Sequence, residues 1–306
     1  MKVKKKKKLA RWQKEQKQKK KKDTQQWLWL GGLFIFFIFL LVLAAVLWKK
    51  AKLSVWDGKS TFSVVFLEKN EAVIKSYQSK DQRWLELKLP LNSLVKVPFG
   101  YGEYQLKNVY DLGQLDGRGG ELLRRTMQET MGLWIQGWMV KEKDRDTNLS
   151  WLDQWRLWLV QKWGVDKKVD YELEFNPAFI KEKLNDNTDV FKIEQGRLDE
   201  LINQEFFDSE IVSERLTVAI VNNTDVDDIA RIAARLVSNL GSEVVWLGNS
   251  GEDLESSKII TADEDFEKSA TSYVLSKALG IREITTGEVI DYRADIVVML
   301  GRDYVK

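Results

Sequence analysis

The spacing of hydrophobic positions changes several times along the chain, and each change predicts an element. From Trp27 to Trp48 the sequence "WLWLGGLFIFFIFLLVLAAVLW" carries no charge and puts apolar side chains on every helical face. At about 1.5 Å per residue it spans roughly 33 Å, enough to cross a bilayer core. Trp27, Trp29 and Trp48 fall where interfacial aromatics belong. A buried soluble helix needs no such length. A cleaved signal peptide has a shorter apolar region ending in small residues, whereas Trp48, Lys49 and Lys50 follow one another here. The expectation is a retained signal anchor over 27–48.

Residues 53–210 switch to strand-like and helix-like periods in turn. "TFSVVFLEK" and "RWLELKLP" predict strands, the second with Leu85, Leu87 and Leu89 on one face and ended by Pro90. "GELLRRTMQETMG" repeats Leu123, Met127 and Met131 at helical spacing, with Gly132 as C-cap. "LWIQGWMV" predicts a return strand. "SWLDQWRLWLVQKWG" predicts a helix capped by Ser150 and Asp153. Its Trp151, Trp155 and Trp158 share one stripe, and tryptophans so spaced are expected to be core rather than the wall of a lipid or sugar groove.

From 215 to 306 the pattern is β-α-β-β-α-β. "VAIVNNTDVDDIARIAARLVSNLG" joins a strand to a helix whose buried stripe is Ile229, Ile232, Ala233, Leu236 and Leu240, with Thr224 as the expected cap. Strands at "EVVWLGN", "KIITA" and "ADIVVMLGRDY" and a helix over "DFEKSATSYVLSKALG" complete the unit. The fold class expected is α/β: a single N-terminal transmembrane helix followed by two α/β domains, 53–210 and 215–306.

Charge gives these segments different surroundings. Residues 1–26 hold about 13 Lys/Arg against 2 acids, so the tail is near +11 and the rest near −9. The positive-inside rule then places the N-terminus in the cytoplasm and the two domains outside a cell membrane. The lysine tail is a topology signal that contacts anionic lipid; binding to nucleic acid through it would lack specificity. The chain has no cysteine and no histidine, which excludes disulfides, thiolate metal sites and a cysteine or histidine catalyst.

Candidate chemistry is sparse. The strand-turn-helix at 218–241 has the outline of a dinucleotide site but no glycine in its turn, and Asp225, Asp227 and Asp228 repel an anion. Asn222, Asn223, Thr224, Gly248 and Asn249 are read chiefly as fold-supporting, with a polar recognition edge as the functional alternative. "DLGQLDGRGGELLRR", Asp111 to Arg125, offers Arg118, Gly119, Gly120, Arg124 and Arg125 as a candidate phosphate cradle against the plainer reading of a glycine-rich turn. "LNDNTD", Leu184 to Asp189, lacks the glycine and glutamate of a calcium loop and is expected to be a solvated turn.

Three pieces, "VAIVNNTDVDDIARIAARLVSNLGSEVVWLGN", "SATSYVLSKALG" and "ADIVVMLGRD", resemble the C-terminal accessory domain of LytR-CpsA-Psr proteins in order and spacing. The family's usual glycine-bearing turn is replaced here by Asp225–Asp228. More distantly, "ELKLPLNSLVKVPFGYGEYQLKNVY" with "GGELLRRTMQETMGLWIQGWMV" resembles the family's catalytic domain. That resemblance implies transfer of glycopolymers from polyprenyl-pyrophosphate carriers to the cell wall, with arginines and an aspartate around pyrophosphate and Mg²⁺. In this chain the loop reads Pro90-Leu91-Asn92-Ser93, with leucine and asparagine where the arginine and aspartate are expected, and no Arg-Asp-Thr triplet follows the first strand.

The functional expectation is a membrane-anchored, extracytoplasmic protein that binds or scaffolds cell-wall polymer or envelope proteins without catalysis or cofactor. The alternative is a divergent Mg²⁺-dependent phosphotransferase that rebuilds its site from Arg118, Arg124, Arg125, Asp111 and Asp116.

Overall fold

The computed structural model describes residues 36–42, 46, 54–141 and 146–305. Met1–Ser54 and Val55–Lys306 are two compact units. In the first, residues 36–42 and 46 are helical; the basic tail at 1–26 and most of the expected span at 27–48 lie outside the described residues. Among the described residues no helix is long and apolar enough to cross a membrane.

The second unit begins with strands β1 (Phe62–Leu67), β2 (Glu71–Gln78) and β3 (Arg83–Pro90) and a hairpin, β4 (Leu94–Val97) with β5 (Gly102–Gln105). Helices α1 (Leu106–Gln114) and α2 (Gly119–Met131), strand β6 (Gly137–Val140), helix α3 (Trp151–Trp163) and strand β7 (Lys167–Glu172) follow. They make one mixed sheet, ordered β6-β1-β2-β3-β7. Leu85, Leu87 and Leu89 face α1 and α2 as expected, joining Leu122, Leu123, Met127 and Met131 in a core closed to solvent. The opposite face of the sheet carries Phe62, Val64, Tyr77 and Trp84, which pack with Leu149 and Leu157 beneath α3.

Two expectations fail here. Residues 106–114 form α1, where no helix is expected, because Leu106, Val109 and Tyr110 fall on one buried face. The tryptophans of α3 are not core: Trp155, Trp158 and Trp163 are 49%, 53% and 75% exposed. Leu157 and Asp153 occupy the buried face instead, so the stripe is real but points the other way.

A hairpin, β8 (Phe179–Lys183) with β9 (Asp189–Ile193), closes over the first core, and α4 (Gln195–Glu205) and α5 (Ser209–Glu214) lead onward. Its tip is the expected solvated turn, with Asn187 at φ 65° and the Asp186 side chain accepting from the Thr188 N–H.

The last ninety residues comprise β10 (Thr217–Asn222), α6 (Ile229–Asn239), β11 (Glu243–Asn249), β12 (Lys258–Thr261), α7 (Glu264–Glu267), α8 (Ala270–Leu279), β13 (Glu283–Thr286) and β14 (Ile296–Leu300). Their sheet runs β11-β10-β14-β12-β13, with β12 antiparallel to β14. Strand β13 was not anticipated; its Glu-Ile-Thr-Thr is too short and polar to carry a periodic signal. The single helix expected over 265–280 is two, since Ser269 caps α8 by accepting from the Ser272 N–H.

Thr224 is not the cap of α6. The helix starts after Asp228, which sits at φ 68° without a side-chain cap bond.

Candidate functional site

The Pro90–Ser93 loop leaves β3 at the edge of the first core. Its polar side chains serve the backbone: Asn92 Nδ2 donates to the Asp189 carbonyl at 2.8 Å, and Ser93 Oγ to the Pro90 carbonyl at 2.8 Å. Leu91 instead packs against the core. Beside it lies a cavity of about 150 Å³ between Leu67, Lys69, Leu91, Lys107, Tyr110 and Asp111. Glu68 and Val140 complete its wall. Ligand pockets run to roughly 300–1,000 Å³, so this one has room for a few waters. Its two lysines face Glu68 and Asp111, and Glu68 is itself paired with Lys141. Burial, reinforced by the hydrogen bond it donates to Asp146 at 3.0 Å, pushes the Tyr110 phenol up to about 12. It stays protonated near neutrality and supplies no base.

The candidate phosphate cradle is dispersed by the fold. Gly119 and Gly120 are buried at the start of α2. A Cβ on Gly113 would come within 2.8 Å of the Gly119 Cα, and one on Gly120 would fall on the Trp138 indole. These glycines therefore permit α2 to touch α1 and β6. Arg124 pairs with Glu121 and donates to the Ile135 carbonyl at 2.7 Å. Arg125 reaches the other way, to Glu129 at 2.8 Å and over the Tyr304 ring at 4.7 Å. Burial opposes its charge, yet Tyr304 and Glu129 more than offset that, and its pKa is raised. Arg118 lies over the Phe99 ring at 4.9 Å. Asp116, from the alternative site, accepts from the Tyr101 hydroxyl.

Arg125 opens onto a larger cavity, about 290 Å³, that sequence reasoning missed because its walls come from distant segments. The β4–β5 turn supplies Lys96 and Phe99, α2 supplies Arg125 and Glu129, the start of α6 supplies Asp227 and Asp228, and the chain end supplies Tyr304. Glu129 is paired with Arg125 and Asp228 with Arg231, so the lining charges largely neutralise one another. Among the described residues, no group of three or more carboxylates is placed to hold a metal ion.

The Asn-Thr turn is an interlocked knot. Asn222 Oδ1 accepts from both the N–H and the hydroxyl of Thr224, at 3.0 and 2.7 Å, and its Nδ2 donates to the Val226 carbonyl at 2.9 Å. Asn223 Nδ2 donates to the Glu252 carbonyl at 3.0 Å. Asn222 and Asn223 are buried. Gly248 lies against the Trp246 ring, and Asn249 pairs in register with Asn222 at the exposed end of β11. Asn222 and Thr224 spend their side-chain polar groups on the turn, whereas Asn223 reaches Glu252 and its buried Oδ1 has no hydrogen-bond partner among the described residues.

With this geometry in place, comparison adds a family for one part of the chain. Residues 215–304 match the LytR_C model, described as LytR cell envelope-related transcriptional attenuator. That segment is similar to the LytR C-terminal domain. No curated protein matches the chain. Among solved structures it is similar to TagT of B. subtilis at 13% identity, over 48% of this chain and 89% of that one, with a TM-score of 0.39. It is similar at 14% identity and TM-score 0.38 to the LytR-CPS2A-psr family protein YwtF (TagT) with bound octaprenyl pyrophosphate lipid, over 47% of this chain and 88% of that one. A transcriptional regulator from Enterococcus faecalis is 10% identical with a TM-score of 0.39, over 61% of this chain and 90% of that one.

Proposed function

We propose that this chain is a single-span membrane protein whose exported α/β body binds or scaffolds cell-wall polymer or envelope proteins and performs no phosphoryl transfer. The observation that carries the envelope assignment is the match of residues 215–304 to a cell envelope-related family. Its support for a binding role is the small cavity beside Leu91 and the engagement of the nearby arginines with protein groups. Phosphoryl transfer from a pyrophosphate carrier calls for converging cations and a metal-holding carboxylate. At the loop where the family resemblance expects them stand Leu91 and Asn92, and Arg118, Arg124 and Arg125 are engaged with Phe99, Glu121 and Glu129.

The test is retention of the compact unit 55–306 on purified cell-wall sacculi, beside a Mg²⁺-dependent transfer assay from a lipid pyrophosphate. Saturable sacculus binding without transfer is the expected result. Transfer activity that disappears in Arg118→Ala would overturn the reading in favour of the phosphotransferase, and absence of any binding would remove its support. The orientation has its own test: protease on intact spheroplasts should digest the body and spare a tag at Met1.

A further inference from the structure

The outward face of α3 departs from ordinary surface chemistry. Trp155 is 49% exposed, Trp158 53% and Trp163 75%, and the half-exposed Trp151 lies on the same helix. Successive members are three, four or five residues apart, so Trp151, Trp155, Trp158 and Lys162 form one stripe with Trp163 at its flank. The remaining exposed positions of the helix are Gln154 and Gln161, so its solvent face carries no carboxylate. Lys162 holds its ammonium 5.1 Å from the ring centroids of both Trp158 and Trp163. Tryptophan has an apolar body and one N–H donor, and it concentrates where hydrocarbon meets water; lysine beside it matches anionic headgroups.

The chain's connectivity favours a bilayer as the occupant over a dissolved partner. The first turn of α3 holds the start of the exported unit: Asp153 accepts from the N–H groups of Val55 and Trp56 at 3.2 and 3.4 Å. Arg156 donates to the Trp56 carbonyl at 3.0 Å. Only residues 49–54 separate Val55 from the end of the apolar run at Trp48. Even fully extended, that linker reaches about 25 Å. It contains Lys49, Lys50 and Lys52 and no acid, so it too is drawn to anionic headgroups. A helix about 20 Å long, tied at one end to so short a tether, is held beside the membrane at a high effective concentration.

We propose that α3 is a membrane-contact face, with Trp155, Trp158 and Trp163 seated among the headgroups of the leaflet through which the anchor emerges, so that the body is held in one orientation against the bilayer. This rests on the anchor reading above and adds a surface to it. Because the chain has no native cysteine, single cysteines report on it directly. Gln161→Cys flanks the stripe and keeps every tryptophan; Glu182→Cys, exposed on the β8–β9 hairpin against the other face of the sheet, is the control. The full-length chain, labelled with a polarity-sensitive fluorophore at either position, is reconstituted into phosphatidylcholine–phosphatidylglycerol vesicles with brominated acyl chains.

The expected result is quenching at 161 and none at 182, lost when Trp155→Ser and Trp158→Ser are added while circular dichroism is unchanged. Equal quenching at both sites in a chain that resists carbonate extraction overturns the membrane face and leaves the anchor standing. Release of the chain by carbonate overturns the anchor and this inference with it. Disulfide cross-linking of Gln161→Cys between copies, without quenching, overturns the bilayer as occupant in favour of a second copy.

Discussion

Gly120 and Glu86 illustrate two ways a single residue constrains this fold. Gly120 lies where the Trp138 indole crosses the first turn of α2. Gly120→Ala is therefore expected to overpack the site and cost about 1–3 kcal/mol, measured as a shift of the urea midpoint at constant m-value. Glu86 lies buried on the α3 side of the sheet. Burial opposes its charge, but the Trp84 indole N–H at 2.8 Å, with Lys75 and Lys168, outweighs that and lowers its pKa. A carboxyl with a depressed folded-state pKa stabilises above its unfolded value and loses that contribution as pH falls through the folded value. Stability should thus decline below about pH 4, and Glu86→Gln should flatten that limb of the pH profile. An unchanged limb in the variant would show that other carboxylates set it.

Among the elements, α3 and the turn before α6 show how caps decide structure. Ser150 and Asp153 form the capping box that the sequence announces. The buried Asp153 carboxylate also binds Val55 and Trp56 N–H. Ser150→Ala should cost about 0.5–2 kcal/mol as a lost cap. Asp153→Ala should cost more, because it strands backbone donors in addition, at about 1–3 kcal/mol for each left unpaired. Equilibrium unfolding of the two variants checks the order. At the α6 turn Asn222 makes three side-chain bonds, and Thr224, the cap expected from sequence, caps no helix. Asn222→Ala should be the more damaging substitution, and equal melting temperatures for Asn222→Ala and Thr224→Ala would contradict that.

In the whole molecule, the two sheets belong to one compact unit, joined by Arg235 of α6. Its guanidinium is paired with Asp199 of α4 at 2.7 Å and donates to the Glu129 and Thr130 carbonyls at 2.6 and 3.0 Å, at the C-terminal end of α2. That is where a helix dipole favours a cation. Asn239 adds a bond from its Nδ2 to the Gly132 carbonyl at 3.0 Å. Among the described residues, removing Arg235 leaves Asp199 with only the Asn239 amide at 3.5 Å and takes a donor from two carbonyls. Arg235→Ala is expected to cost about 3 kcal/mol or more, and to raise hydrogen exchange in α4 and the last turn of α2 while the sheet cores stay protected. Uniform loss of protection would mean that the two sheets unfold only together.

The sequence by itself determined the elements with strong periods and explicit caps: the leucines of β3, the buried stripe of α6, the Ser150–Asp153 box and the Gly132 C-cap at φ 64°. It also carried the resemblance over 215–304, because short motifs in fixed order survive where pairwise identity does not. Burial against a neighbouring element was beyond it. Periodicity reports that Trp151, Trp155 and Trp158 share a face of α3, but not which face meets the sheet; packing of Leu157 and Asp153 decided that, and turned the tryptophans outward. The same limit applied to Gly119 and Gly120, read from sequence as a glycine-rich turn with a phosphate cradle as the alternative; only the fold places Gln114 and Tyr110 against the first and Trp138 against the second. Local pattern is written in neighbouring residues, whereas sidedness and cavities arise from segments a hundred residues apart, as Lys96, Arg125, Asp228 and Tyr304 do around one chamber.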